Sequence, residues 1–285
     1  MRALKPDTAV TVSIATSQRI RVSAGDLGVQ VSGPSDATPV ILNHAILTAG
    51  AMWRDQVARL TQEGWRVITL DARGHGQSDP MPPPYSFADL EADNIAVLDA
   101  LGIERAHFVG LSLGGMTGLG LGIAHPQRLL SLCLCDMRAD APAEFVAPWE
   151  ERIRVATQEG IGALAAPTIA RWLTQAFIDA NPDTLHWLSD MIGQTSVPGF
   201  IGCARALQHL DFTGGLSQIK TPTTLIVGAE DGALPAAMRD IQSRIDKSVL
   251  ESIPGAGHLP NIEQPALFNA ALIRHLHRAI RSSSH

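Results

Sequence analysis

The sequence predicts an α/β fold: a mostly parallel, eight-stranded sheet with helices on both faces and an inserted helical cap. Three observations carry this. Short apolar runs, such as Val40-Ile41-Leu42 and Phe108-Val109, alternate with longer amphipathic stretches. Strands that alternate with helices pair in parallel. After Asp136 the alternation stops, and it resumes only at Thr221. Between them lie stretches of helical period punctuated by Pro142, Pro148, Pro167, Pro182 and Pro198. The chain therefore divides into a core of residues 1–136 and 216–285 and a cap of residues 137–215.

Each element follows in order. Residues 1–18 read as a loose leader or short strand. Arg19–Ser23 and Leu27–Ser32 alternate polar and apolar around Ala24-Gly25-Asp26, the pattern of an edge hairpin. Pro39–Asn43 is a buried strand. Ala51–Glu63 is a helix with Met52, Val57 and Leu60 on one face, stopped by Gly64. Arg66–Leu70 is a strand and Asp71–Asp79 its turn; Phe87–Leu101 is a helix that Gly102 ends. The strand Ala106–Gly110 and the strand Leu129–Cys135 flank a helix rich in small residues. In the cap, Trp149–Gln158, Gly160–Ala176, Asp183–Thr195 and Gly199–Leu210 have helical period. Thr223–Val227 and the stretch from Val249 are the last strands. Leu259–Arg278 is the final helix, and Arg281–His285 a tail expected to fray.

Gly110-Leu111-Ser112-Leu113-Gly114 carries the chemistry. It joins a strand to a helix by a tight turn, which needs glycines and strains the serine so that its hydroxyl projects. The helix behind it aims a positive end at the same point. A serine hydroxyl needs a base, and the base needs an orienting acid. Two later strands end in loops bearing Glu230-Asp231 and Gly255-Ala256-Gly257-His258. Ser112, Asp231 and His258 thus become nucleophile, orienter and base. Asp136, just past the strand Leu129–Cys135, and Glu230 remain rival acids. A Gly-rich turn and a surface histidine, one of ten, are the bland readings of the other two.

Composition excludes other classes. Hydrophobic residues make up 45% and charged residues 18%, as in a globular protein with a large core. With 22 basic and 28 acidic residues the net charge is −6, which disfavours nucleic acid. The apolar runs are too short to cross a membrane. Pro6, Asp7 and the polar residues after them deny the N-terminus the apolar core of a signal peptide. The three cysteines lack metal-ligand spacing and fit a reducing, cytoplasmic setting; Cys133 and Cys135 are expected on opposite faces of their strand, unpaired. Neither a metal nor an organic cofactor is expected, and the oligomeric state is left open.

These motifs, with Asn43-His44-Ala45-Ile46 and Asp71-Ala72-Arg73-Gly74-His75-Gly76-Gln77-Ser78, resemble the α/β-hydrolase superfamily in order and across most of the chain. Phe108–Gly118, Met52-Trp53, Trp149-Glu150-Glu151-Arg152-Ile153 and Asn261-Ile262-Glu263-Gln264-Pro265 resemble 3-oxoadipate enol-lactonases in particular. The resemblance implies an oxyanion hole from the N–H groups of Ile46 and Leu113, although His44-Ala45 stands where many relatives have His-Gly. It implies hydrolysis of a small ester or lactone within the catabolism of aromatic compounds. An acidic lactone wants an arginine. The cap offers Arg138, Arg152, Arg154, Arg171 and Arg205. Arg138 lies nearest the sheet edge, and Arg152 shares a Trp-x-x-Arg with Trp149. Surface pairing with neighbouring glutamates is the bland reading of these arginines, and core packing that of the tryptophan. His44 and His75 are expected to brace turns. A broad carboxylesterase, a carbon–carbon hydrolase, a cofactor-free haloperoxidase and a non-enzymatic receptor are the alternatives on the same fold.

Overall fold

The computed structural model describes residues 15–283. The chain opens on a hairpin: β1 (Thr16–Val22) and β2 (Gly25–Ser32) pair antiparallel, with Val22 opposite Gly25 across the Ser23-Ala24 turn. The hairpin is longer than its alternation suggested and takes in Thr16–Gln18. Residues 1–14 of the expected leader lie outside the described residues.

β3 (Pro39–Asn43), α1 (Arg54–Gln62), β4 (Arg66–Leu70), α2 (Phe87–Ala100), β5 (Ala106–Leu111), α3 (Leu113–Ala124) and β6 (Leu129–Cys135) follow. Five helices come next: α4 (Ala143–Glu159), α5 (Ala165–Trp172), α6 (Gln175–Ala180), α7 (Pro182–Gly193) and α8 (Val197–Gln208). β7 (Thr223–Gly228), α9 (Leu234–Arg244), β8 (Val249–Ile253), α10 (Pro260–Glu263) and α11 (Pro265–Ser283) close the chain. One eight-stranded sheet results, in the order β1-β2-β4-β3-β5-β6-β7-β8. Only β1–β2 and β2–β4 are antiparallel. All six residues of β5 and of β7 are buried, as befits strands covered on both faces. α1 and α11 pack together on one face and α2 with α3 on the other. Trp53 and Phe268, both fully buried, meet at a centroid distance of 5.9 Å where the α1 side joins α11. The ends of the five-helix insertion are tied together by an antiparallel bridge between Asp140 and Asp211 and by Phe212 N–H donating to the Ala139 carbonyl at 2.7 Å.

Local chemistry explains most boundaries. Ser86 and Asp89 form a reciprocal capping box that starts α2. Thr174 and Ser196 cap α6 and α8. Several expectations need correction. The final helix is broken at Gln264 (φ −132°, ψ 59°), because the ring of Pro265 pushes the preceding residue out of helical geometry. Past that break α11 continues to Ser283, so residues 281–283 are helical. Pro148 lies inside α4, where its missing N–H leaves only the carbonyl of Glu144, in an exposed first turn, without its helical donor. Residues two apart on a strand share a face, so Cys133 and Cys135 point the same way; their Sγ atoms lie 4.0 Å apart and both are free thiols.

Candidate active site

Ser112 sits between the last residue of β5 and the first of α3, at φ 55° and ψ −113°. A serine there is strained by about 1–3 kcal/mol and persists only if its surroundings over-determine it. They do. Ser112 N–H donates to the Cys135 carbonyl at 2.8 Å, and Met116 N–H donates to the Ser112 carbonyl at 2.8 Å. A Cβ on Gly110 would collide with the Gly114 carbonyl, and one on Gly114 with the Asn43 carbonyl. Only glycine lets helix and strand approach this closely. Leu113 is the first residue of α3, so its N–H has no intrahelical acceptor.

The acid and the histidine come from the ends of β7 and β8. Ala229 N–H donates to Ile253 and Glu230 N–H to Ala256, both at 2.9 Å, binding the two loops together. His258 Nδ1 lies 2.7 Å from Asp231 Oδ2. A proton donated from Nδ1 to a carboxylate leaves Nε2 as the basic nitrogen. Asp136 also reaches this cluster. It sits at φ 45°, its Oδ1 accepts Gly228 N–H at 2.8 Å, and its side chain lies beside Asp231. Complete burial, then the Asp231 charge, push its carboxyl well above the usual range. Of the two carboxyls, Asp231 alone touches the imidazole.

His44 and His75 brace the loop that carries Ile46. Ala72 N–H donates to His44 Nε2 at 2.8 Å and Leu47 N–H to His75 Nε2 at 3.1 Å. Each ring then donates from Nδ1, to the carbonyls of Ala45 (2.7 Å) and Arg73 (2.9 Å). Burial lowers their pKa values to about 4 and about 3, so both are neutral hydrogen-bonding struts.

Ser112, Asp231, His258, Ile46, Arg138, Arg152 and Trp149 line one cavity of about 330 Å³, with Asp136, Met116, Arg171, Trp172 and Leu207. Leu113 turns its side chain away from it, beside His44. Arg138 is engaged elsewhere: it pairs with Asp140 at 3.0 Å and lies over the Phe145 ring at 4.9 Å. Arg152, half-buried, lies over the Trp149 ring at 4.7 Å. Desolvation and the nearby Arg171 guanidinium pull its pKa down to about 10. Neither Arg152 nor Arg171 is in an ion pair among the described residues. Two like charges facing one cavity repel, and an anion between them relieves that repulsion. In the sequence Arg171 is one of five cap arginines and Arg138 the one nearest the sheet edge; nothing local in α5 marks Arg171 as lining the cavity. Trp172, which reads in the sequence as a packing residue, stacks its ring on His258 at 5.7 Å.

The sequence model of the alpha/beta hydrolase fold matches residues 38–265. Over 243 residues the chain is 35% identical to 3-oxoadipate enol-lactonase 1 of Acinetobacter baylyi, spanning 85% of this chain and 90% of that one. The enol-lactonase structure from Burkholderia xenovorans superposes with a TM-score of 0.87 at 30% identity, covering 91% of this chain and 100% of that chain. A thermophilic esterase from Thermogutta terrifontis, solved with malate bound, gives a TM-score of 0.85 at 27% identity, with 93% and 99% coverage.

Proposed function

This chain belongs to the alpha/beta hydrolase fold family, is an enzyme of that hydrolytic kind, and on that premise we propose that it is a serine hydrolase of small carboxylate-bearing esters or lactones, enol-lactones foremost. The observation that carries the proposal is the Asp231–His258 pair opening onto the same cavity as the strained Ser112. His258 Nε2 takes the hydroxyl proton as Ser112 Oγ bonds to the carbonyl carbon. The oxyanion is held by the N–H groups of Ile46 and Leu113, fixed donors of the kind worth about 3–4 kcal/mol each. As the tetrahedral adduct collapses, the carbon–oxygen bond to the leaving group breaks and His258 returns its proton to that oxygen. In a lactone the leaving enol or alcohol stays tethered to the acyl group. A water, deprotonated by His258, then attacks the acyl carbon and frees Ser112.

Residues 137–215 act as the cap that selects the substrate. Arg152 and Arg171 receive its carboxylate, and Trp149 walls the cavity. A malate-bound relative and two enol-lactonase relatives support an acidic ligand. Met116, Leu207 and Leu234 add apolar lining to the same cavity, which favours a second reading as a carboxylesterase for neutral esters. Two experiments test the proposal together. A fluorophosphonate labels the wild type and not Ser112→Ala. A panel of p-nitrophenyl esters, an enol-lactone and a dienoate then ranks the substrates. Fast turnover of neutral esters with none of the acidic lactone selects the second reading. Full activity in Ser112→Ala ends both.

A further inference from the structure

The turn after the histidine, Asn261-Ile262-Glu263-Gln264-Pro265, takes no part in the chemistry above, yet it holds a buried carboxylate that three donors surround. Glu263 is 6% exposed. Its Oε2 accepts the N–H of Gly257, the residue before His258, at 2.6 Å. Its Oε1 accepts the N–H of Thr174 at 2.8 Å and the Thr174 hydroxyl at 2.9 Å. Thr174 belongs to the inserted helices, at the joint between α5 and α6. A second strap runs beside the first: His258 N–H donates to the Trp172 carbonyl at 2.6 Å. A Cβ on Gly257 would collide with that same carbonyl, so the histidine turn and the α5 end are already in contact.

The consequence is geometric. Residues 172–174 and 257–258 are thus joined twice, once through the Glu263 carboxylate and once backbone to backbone. Arg171 directly precedes Trp172 in α5, so the wall that meets the substrate and the imidazole that serves as base are tied to the same short segment. A carboxylate suits the place better than an amide does. Both of its oxygens accept, whereas glutamine would set its NH₂ against one of the N–H donors.

We propose that Glu263 is a positioning residue that locks the Arg171–Thr174 wall of the cap onto the His258 turn, so that substrate anchoring and the general base are held in one fixed relation. The inference rests on the serine-hydrolase reading, and the experiment keeps the two apart. Glu263→Gln is compared with wild type for the rate of fluorophosphonate labelling, for kcat and KM on a neutral and on a carboxylate-bearing ester, and for thermal midpoint. Labelling and kcat on both esters are expected to fall about 10²-fold, the cost of roughly an ångström of misplacement. KM is expected to rise for the carboxylate-bearing ester alone. Thr174→Val, which removes one donor of three, gives a smaller fall in the same quantities, and Thr174→Ser restores them. A lower thermal midpoint with labelling and kcat unchanged makes Glu263 merely structural and overturns the proposal. So does a loss confined to kcat with KM equal on the two esters, since the link to Arg171 is then absent. If Glu263→Gln fails to fold, the Val and Ser variants of Thr174 decide by the same criteria. Turnover retained by Ser112→Ala, run alongside, sinks the serine reading whatever Glu263 does.

Discussion

Two serine–histidine combinations lie at opposite ends of the central strands: in one the side chains touch, in the other both border a cavity. Near the amino ends of the central strands, Ser131 Oγ lies 2.8 Å from His275 Nε2. At the carboxyl ends, Ser112 and His258 border the cavity. The first pair has the residues of a nucleophile and its base but none of their support. The second nitrogen of His275 faces the Thr224 hydroxyl at 2.7 Å, to which Arg278 donates, while His107 Nδ1 lies 2.6 Å from Ser131 Oγ. Burial, His107 and the Arg278 cation together push the His275 pKa down to about 3, so it is a poor proton acceptor. Ser131 lies in the first half of β6 with no exposure. His258, by contrast, has the Asp231 carboxylate behind it, and Ser112 stands on a strained turn beside the first N–H of a helix. What distinguishes the second combination is the carboxylate on the far side of the imidazole and the cavity that Ser112 borders.

Four measurements probe that contrast, beginning with the largest effect. Ser112→Ala lowers kcat by about six orders of magnitude, as loss of a serine nucleophile does elsewhere. Ser131→Ala leaves kcat within a few-fold and registers only as lower stability; activity loss there would erase the distinction between the ends. Asp231→Asn lowers kcat about 10⁴-fold by removing the charge that orients the base. Asp136→Asn, in which the amide keeps an oxygen to accept the Gly228 N–H, stays within about tenfold. The reverse outcome moves the triad acid to Asp136. Arg171→Gln raises KM for a carboxylate-bearing ester by about tenfold, the worth of one hydrogen bond to a charged group, and leaves neutral esters unchanged. Equal effects on both substrates would remove the arginine from the anchor. The smallest effect concerns stability. His44, His75 and His275 have native pKa values depressed to about 4, 3 and 3 from 6.5. Below about pH 6.5 the unfolded chain binds protons that the native state refuses, so stability falls as pH falls, by about 1.4 kcal/mol per unit for each histidine. Glu91, raised to about 7 by burial, acts in the opposite sense down to its ordinary range. Urea midpoints at pH 7, 6 and 5 should therefore decline, and a flat series would contradict the neutral-strut assignment.

The core of the fold was legible because its signals are local. Pro39–Asn43 and Thr223–Val227 are continuous apolar runs bounded by turn residues, and each reactive loop follows such a run. Chain order then brought Ser112, Asp231 and His258 to one edge. Less could be read where tertiary packing decides. Arg138 and Arg171 both line the cavity, and which of them keeps a guanidinium free of a carboxylate partner among the described residues is decided by folding, where Asp140 claims Arg138. Glu263 is an unremarkable letter until Thr174, far away in sequence, is folded against it. The thiols of Cys133 and Cys135 were misjudged at the simplest level, the two-residue period of a strand.

The tight seat of α3 against the sheet has a practical side. Gly110 and Gly114 admit no larger residue, and Gly115 and Gly118 are nearly as crowded, against the Cys135 carbonyl and the Phe108 ring. Libraries that randomise this turn will return mostly collapsed protein. Altering the cavity means leaving residues 110–118 untouched and varying the side chains of α4 and α5 that line it, such as Arg152 and Arg171.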